Sequence, residues 1–265
     1  MARAVGAAEV GPHVTASYRD LKGRNYLHVL VEENARFLDA ARDAGMTSAV
    51  EACPGWSVAD LVFHMSRVQN MFHGMLTTDA ETPKDLPRLE KPAADDDALK
   101  QFADGAARLE SLLANTPDDK EVWTFTGPRP ALWVKRRQAQ EVLVHRLDAE
   151  MAGRNVTTAD EVACADGIDE LFGVFVPRLG EKVQLTGSVH LHCTDTDGEW
   201  MLVPGESGVS VAREHGKGDV AFRGSAQLLL LTVWRRISVD EAVVAGAQVF
   251  GDRAVLDGLI SSLAI

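Results

Sequence analysis

The hydrophobic period of this 265-residue chain changes at Gly153, and that change limits what it can fold into. Up to that glycine, apolar residues recur three and four apart, the spacing of a helix with one buried face. Leu27, Leu30, Val31, Phe37, Leu38 and Ala41 predict a first helix over about Asp20 to Asp43, with Gly45 as its stop. Leu61, Met65, Val68, Phe72 and Met75 predict a second. Ser57, with Asp60 three residues on, supplies its N-terminal cap. Leu99, Phe102, Ala106, Leu109 and Leu113 mark a third, and a fourth covers about Ala131 to Ala152. Four such helices before one change of texture predict an antiparallel four-helix bundle.

Beyond Gly153 the period falls towards two. The stretch VQLTGSVHLHCTDTDGEWMLVPGESGVSVAREH alternates polar with apolar residues and is cut by Gly and Asp at turn-like intervals, the pattern of hairpins. Segments 160–179, 225–236 and 253–263 read as helices. The expected fold class is therefore α+β in two domains: a helical bundle over 18–153 and a mixed α+β domain over 155–265. Residues 1–17, rich in Ala and Gly, read as a loose arm. Residues 79–97 contain three prolines and many acids and predict an ordered irregular loop, because helical patterning resumes on both sides.

The balance of 27 Lys plus Arg against 39 Asp plus Glu, a formal charge of −12, argues against a phosphate backbone or an anionic bilayer as partner. Three scattered cysteines, Cys53, Cys164 and Cys193, without a C-x-x-C pair suggest reduced thiols and a cytoplasmic location. No targeting signal is visible at the start, and the longest strongly apolar run, 228–234, is far too short to span a bilayer.

The fourth helix carries RRQAQEVLVHRLDAE. Glu141 and His145 are four apart and stack on one face, with Asp148 three residues further along the same stripe. A carboxylate and an imidazole in that register can grip one cation. His64, three residues after Leu61 and four before Val68, faces inward and is the natural third donor. Two histidines and a glutamate leave coordination positions open, as in catalytic rather than structural zinc sites. The donor set also suits nickel, iron or cobalt. Asp148 either orients a ligand or binds substrate. Taken alone, Glu141 and His145 also describe a surface pair worth a few tenths of a kcal/mol, and His64 alone a satisfied core histidine.

Together, CPGWSVADLVFHMSRV and RRQAQEVLVHRLDAE resemble the mycothiol-dependent maleylpyruvate isomerase family, a branch of the DinB-like metalloproteins. The shared motifs are C-P-G-W-[ST]-V-x-D-L-x-x-H on the second helix and E-x-x-x-H-R-x-D-A-E on the fourth. The resemblance implies that His64, Glu141 and His145 hold a divalent metal, zinc above nickel or iron, and that mycothiol is the thiol cosubstrate. DGIDELFGVFVPRL, GSVHLHCTD, GEWML and GDVAFRGSAQLLLLTVWRR resemble the family's C-terminal domain, implying a sterol-carrier-like α+β fold. The resemblance also implies a catalytic arginine near the end of the leucine-rich helix, where Arg235 and Arg236 are adjacent and Arg223 is close by; Arg236 is the one expected, and a solvated basic pair is the other reading of 235–236. Gln140 stands where many relatives carry histidine, a change outside the ligand set that can alter the pocket.

Other groups carry less. His190 and His192 alternate on a predicted strand and share a face, but no third ligand is evident beside them. Cys53 precedes a helix N-terminus, where a thiol pKa can fall, yet local spacing supplies no histidine base; packing under Trp56 is the simpler role. GRNYLH and FTGPRP lack a phosphate-cradling glycine pattern. The expected activity is metal-dependent activation of a small thiol for S-transfer, thiol exchange or cis–trans isomerisation of a small electrophile, in a monomer or homodimer. The rivals are a non-enzymatic small-ligand binder with a structural or vestigial metal, and metal-assisted hydrolysis.

Overall fold

Ser57 begins its helix by exchanging bonds with Asp60: the Asp60 amide donates to Ser57 Oγ at 3.3 Å, and the Ser57 amide donates to Asp60 Oδ2 at 3.0 Å. This reciprocal cap satisfies backbone donors that the first turn leaves free. The computed structural model describes residues 25–78, 80, 82–205 and 208–263. The arm over 1–17 and the helical start expected from Asp20 lie outside those residues. Four long helices follow: α1 (Tyr26–Ala44), α2 (Val58–Thr77), α3 (Asp95–Ala114) and α4 (Ala131–Ala152). Leu30, Phe37, Leu61, Met65, Phe72, Phe102, Leu109 and Leu113 are buried in their shared core, as the apolar stripes predict. The loop between α2 and α3 holds one short 3-10 turn, Pro83–Asp85.

Helix α4 departs from a one-sided pattern, since 18 of its 22 residues are buried. Val142, Ala139 and Ala149 enter the bundle core, whereas Leu143, Val144 and Leu147 enter a second core made with the rest of the chain. Its buried charges are paired across to other elements. Arg146 Nε donates to Glu33 Oε2 at 2.8 Å, and Arg136 meets Asp166 at 3.0 Å and Asp169 at 2.7 Å. Arg137 bridges Glu141 and Glu170. Removing one partner from such a buried pair costs about 3–5 kcal/mol, because the other charge is stranded.

The remainder is a mixed sheet with helices. Strands β3 (Val189–Cys193), β4 (Glu199–Gly205), β5 (Gly208–Ala212), β6 (Val220–Gly224) and β7 (Gln248–Gly251) lie in the order β5-β4-β3-β6-β7. Only β3 and β6 pair in parallel; the other neighbours are antiparallel. Helices α5 (Glu161–Glu170), α6 (Val176–Leu179), α7 (Ala226–Val233), α8 (Val239–Val244) and α9 (Arg253–Ser262) pack with it. The chain is thus α+β, with a helical first part and a sheet in the second.

Three local features differ from expectation. The helix expected over 160–179 widens into a π turn at Leu171–Phe175. Pro177 follows it, has no N–H to give, and breaks the regular ladder. A minimal hairpin, β1 (Glu121–Val122) with β2 (Arg129–Pro130), precedes α4, and α8 with β7 occupies a stretch that shows no clear period. Among the described residues, no helix is long and apolar enough to cross a membrane.

Candidate metal centre

The cap at Ser57 sets the register of α2 and places His64 two turns into the helix, beside α4. His64 Nε2 lies 3.2 Å from Glu141 Oε1, and His145 Nε2 lies 3.6 Å from that same oxygen. The two imidazole centroids are 4.9 Å apart, and one donor atom from each of the three residues falls within 4.8 Å of the others. Donors of a tetrahedral cation at ordinary bond lengths sit about 3.4 Å from one another, so this spacing and this donor chemistry fit a divalent transition metal. The Trp56 ring lies 5.1 Å from the His64 ring, tilted 50° to it.

Behind these donors lies a relay of charge. His145 Nδ1 is 2.8 Å from Asp148 Oδ2, which directs Nε2 toward Glu141. Asp148 in turn receives a fork from Arg236, Nε at 2.9 Å and Nη2 at 2.8 Å, and Arg236 Nη1 donates to the Trp234 carbonyl at 2.7 Å. Burial alone would lower the His145 pKa, but the bonds to Asp148 and Glu141 push it up to about 9. Burial likewise favours a neutral Glu141; Arg137 and the two histidines override it and hold this carboxyl well below the usual range. The pocket is an electrostatic well for a cation at His145.

Of the three arginines near the leucine-rich helix, only Arg236 reaches this cluster. Helix α7 ends with Arg235 in the left-handed region (φ 59°) and Arg236 N–H bonded to the Leu231 carbonyl at 2.7 Å. That sharp reversal leaves Arg235 exposed and turns Arg236 to Asp148. Arg223 is exposed on β6, opposite Gln248. Gln140 points away from the donors and gives its amide to Asp166 Oδ2 at 2.8 Å.

Two neighbours were not placed at this cluster from the sequence. Arg137 bonds Glu141 from one turn earlier, a partner that i, i+4 spacing does signal. Cys53 is the other. A ring nitrogen of His145 and an Asp148 oxygen lie within 4.8 Å of its sulfur, so the fold provides the histidine that local spacing lacked. Burial and the nearby Asp148 push the Cys53 thiol up, against the low pKa a helix N-terminus would promote. A cleft of about 540 Å³ opens beside His64, with Phe63, Arg67, Asn70, Arg88 and Leu89 on its walls.

The description "Mycothiol maleylpyruvate isomerase N-terminal domain" matches residues 27–150, and the C-terminal domain of the same family matches 163–258. No curated protein matches the chain. Among solved structures, a histidine-to-alanine mutant of the mycothiol-dependent maleylpyruvate isomerase aligns at 15% identity with a TM-score of 0.55, over 82% of this chain and 90% of that one. The unmutated isomerase aligns at the same identity and coverage with a TM-score of 0.50. At that identity the likeness speaks to the fold. The two domain matches together run from the first helix into the last, and the chain belongs to the mycothiol maleylpyruvate isomerase family.

Proposed function

We propose that this chain is a metal-dependent enzyme of the cytoplasm that activates a low-molecular-weight thiol, mycothiol by its family, for reaction with a small electrophile. His64, Glu141 and His145 are the residues that would hold the ion, zinc above nickel or iron. A divalent cation held there favours thiolate over thiol near neutral pH. The convergence of those three side chains, from two helices, on one point carries the proposal.

The surrounding residues have assignable tasks. Asp148 fixes the ring of His145 and keeps its Nε2 aimed at the ion. Arg236 stabilises Asp148; three of its five N–H donors are engaged, and the remaining two can hold a substrate carboxylate. Arg67, Arg88 and Asn70 give the adjoining cleft donors for the polar body of a thiol or for an acidic substrate. The same arrangement serves S-transfer, thiol exchange or addition, bond rotation and expulsion of the thiol in cis–trans isomerisation. Binding and thiolate formation are common to all three.

The test combines metal analysis with a thiol titration. In cobalt-substituted protein, mycothiol is expected to shift the visible absorption, and His145→Ala is expected to lose both metal and thiol-dependent turnover. Full turnover in a metal-free His145→Ala protein sinks the proposal. Proximity of Cys53 to His145 favours one second reading, a closed site whose metal is structural in a non-enzymatic binding protein. Cys53→Ala separates the two: loss of metal supports closure, and retention supports an open position.

A further inference from the structure

A second cleft, of about 620 Å³, lies away from His64, along the sheet. His192, Glu199 and His215 line it beside Asp169 and Arg213. His190 and His192 are two apart on β3 and share a face, and Glu199 of β4 stands directly opposite His192 in the register. His215 comes from the connection between β5 and β6. Its nitrogen Nδ1 lies 3.1 Å from Glu199 Oε2, His192 Nδ1 also contacts Glu199, and His190 Nε2 lies 3.8 Å from Glu199 Oε2. One donor atom from each of the four lies within 4.8 Å of the others.

A simple hydrogen-bond hub on Glu199 accounts for His192 and His215 but not for His190. The His190 side chain is 7% exposed, and its Nε2 has no hydrogen-bond partner among the described residues. A buried nitrogen left in that state is costly, and a cation shared with the other three donors would remove the defect. The connecting segment H-G-K-G is also built for close approach. A Cβ on Gly216 would stand 2.8 Å from Met201 Cγ, and one on Gly218 would stand 3.0 Å from the His190 amide nitrogen. Glycine at both positions lets the segment lie against the sheet and bring His215 to β3 and β4.

We propose that His190, His192, Glu199 and His215 form a second site for a divalent transition-metal ion, zinc by its donor set. Three imidazoles and one carboxylate fill a tetrahedral shell, so the site is structural and clips the β5–β6 connection to β3 and β4. The cleft gives the ion its way in. This second ion is independent of the one assigned to His64, Glu141 and His145.

Full-length protein, loaded with zinc and desalted, tests this by metal stoichiometry. Wild type is expected to carry two equivalents, His64→Ala/His145→Ala one, His192→Ala/His215→Ala one, and the quadruple variant none. His192 and His215 are 31% and 80% exposed, so their removal leaves the core in place; circular dichroism checks the fold. Added zinc is expected to raise the Tm of His64→Ala/His145→Ala and to leave the quadruple variant unmoved. A His192→Ala/His215→Ala protein that binds as much zinc as wild type overturns the second site, as does a His64→Ala/His145→Ala protein that binds none. One wild-type equivalent, lost only with His192 and His215, supports the second site and defeats the metal assignment at His64 instead.

Discussion

The two histidine clusters among the described residues are assembled by different means. At the first, Glu141, His145 and Asp148 come from one helix, where covalent geometry alone aligns them, and a single partner from α2 completes the set. At the second, His190 and His192 come from one strand, Glu199 from its neighbour and His215 from a glycine-bearing connection. Helical spacing is a local property and shows in a string of letters. Cross-strand register depends on which strands pair, so the second cluster displays only two of its four members before folding. Their surroundings differ as well: the first has an arginine behind each carboxylate, whereas the second has one carboxylate facing three rings.

The largest effect that can break this contrast belongs to the first cluster. His145→Ala is expected to lower thiol-dependent turnover by about 100-fold or more, with the metal lost, because one ligand and the hold of Asp148 go together. Steady-state rates beside metal analysis would check it, and turnover near wild type would erase the distinction drawn between an open and a closed site. Next comes the support behind the ligand. Asp148→Asn keeps the shape but weakens the orientation of His145, and zinc affinity is expected to fall about 10–100-fold in a competition titration against a chelator. An unchanged affinity would leave Asp148 a packing residue.

A pH series sharpens the comparison further. In chelator-treated protein the His145 pKa, raised to about 9 by Asp148 and Glu141 against burial, stabilises the fold fully below pH 6.5. That stabilisation, on the order of 3 kcal/mol at most, is lost as pH rises through about 9. Metal-loaded protein is expected to show the opposite trend, since the ion must displace a proton from the ring and binds better as pH rises. Tm measured from pH 6 to pH 10 with and without zinc would check both slopes; parallel curves would contradict the assignment. The smallest effect concerns the cap that sets the register of His64. Ser57→Ala is expected to cost about 1 kcal/mol in a denaturant titration, with the metal content unchanged.

The stripes of α1, α2 and α3 were legible because each of these helices buries one face against a common core. The existence of α4 was legible from its length and the glycine that closes it, but its burial on all sides was not. A helix that sits between two cores carries apolar residues all round, and its charges look solvent-exposed until Glu33, Asp166 and Glu170 arrive from elsewhere. Short elements such as α8 and β7, six and four residues long, carry too few residues to show a period. The same physics separates the arginines: adjacency in sequence made Arg235 and Arg236 equivalent, and the left-handed turn at Arg235 made them different.

By itself, the sequence determined that a helical first part is followed by a part carrying a sheet, the register of α2 and α4, and the alignment of Glu141, His145 and Asp148 on one face. Each of these follows from backbone geometry over a few residues. Only the tertiary structure decided that His64 meets that face, that Cys53 and Arg236 stand behind it, and that His190 gains Glu199 and His215 as neighbours. Those meetings depend on how separate elements pack, and packing is set by the whole core rather than by any one segment.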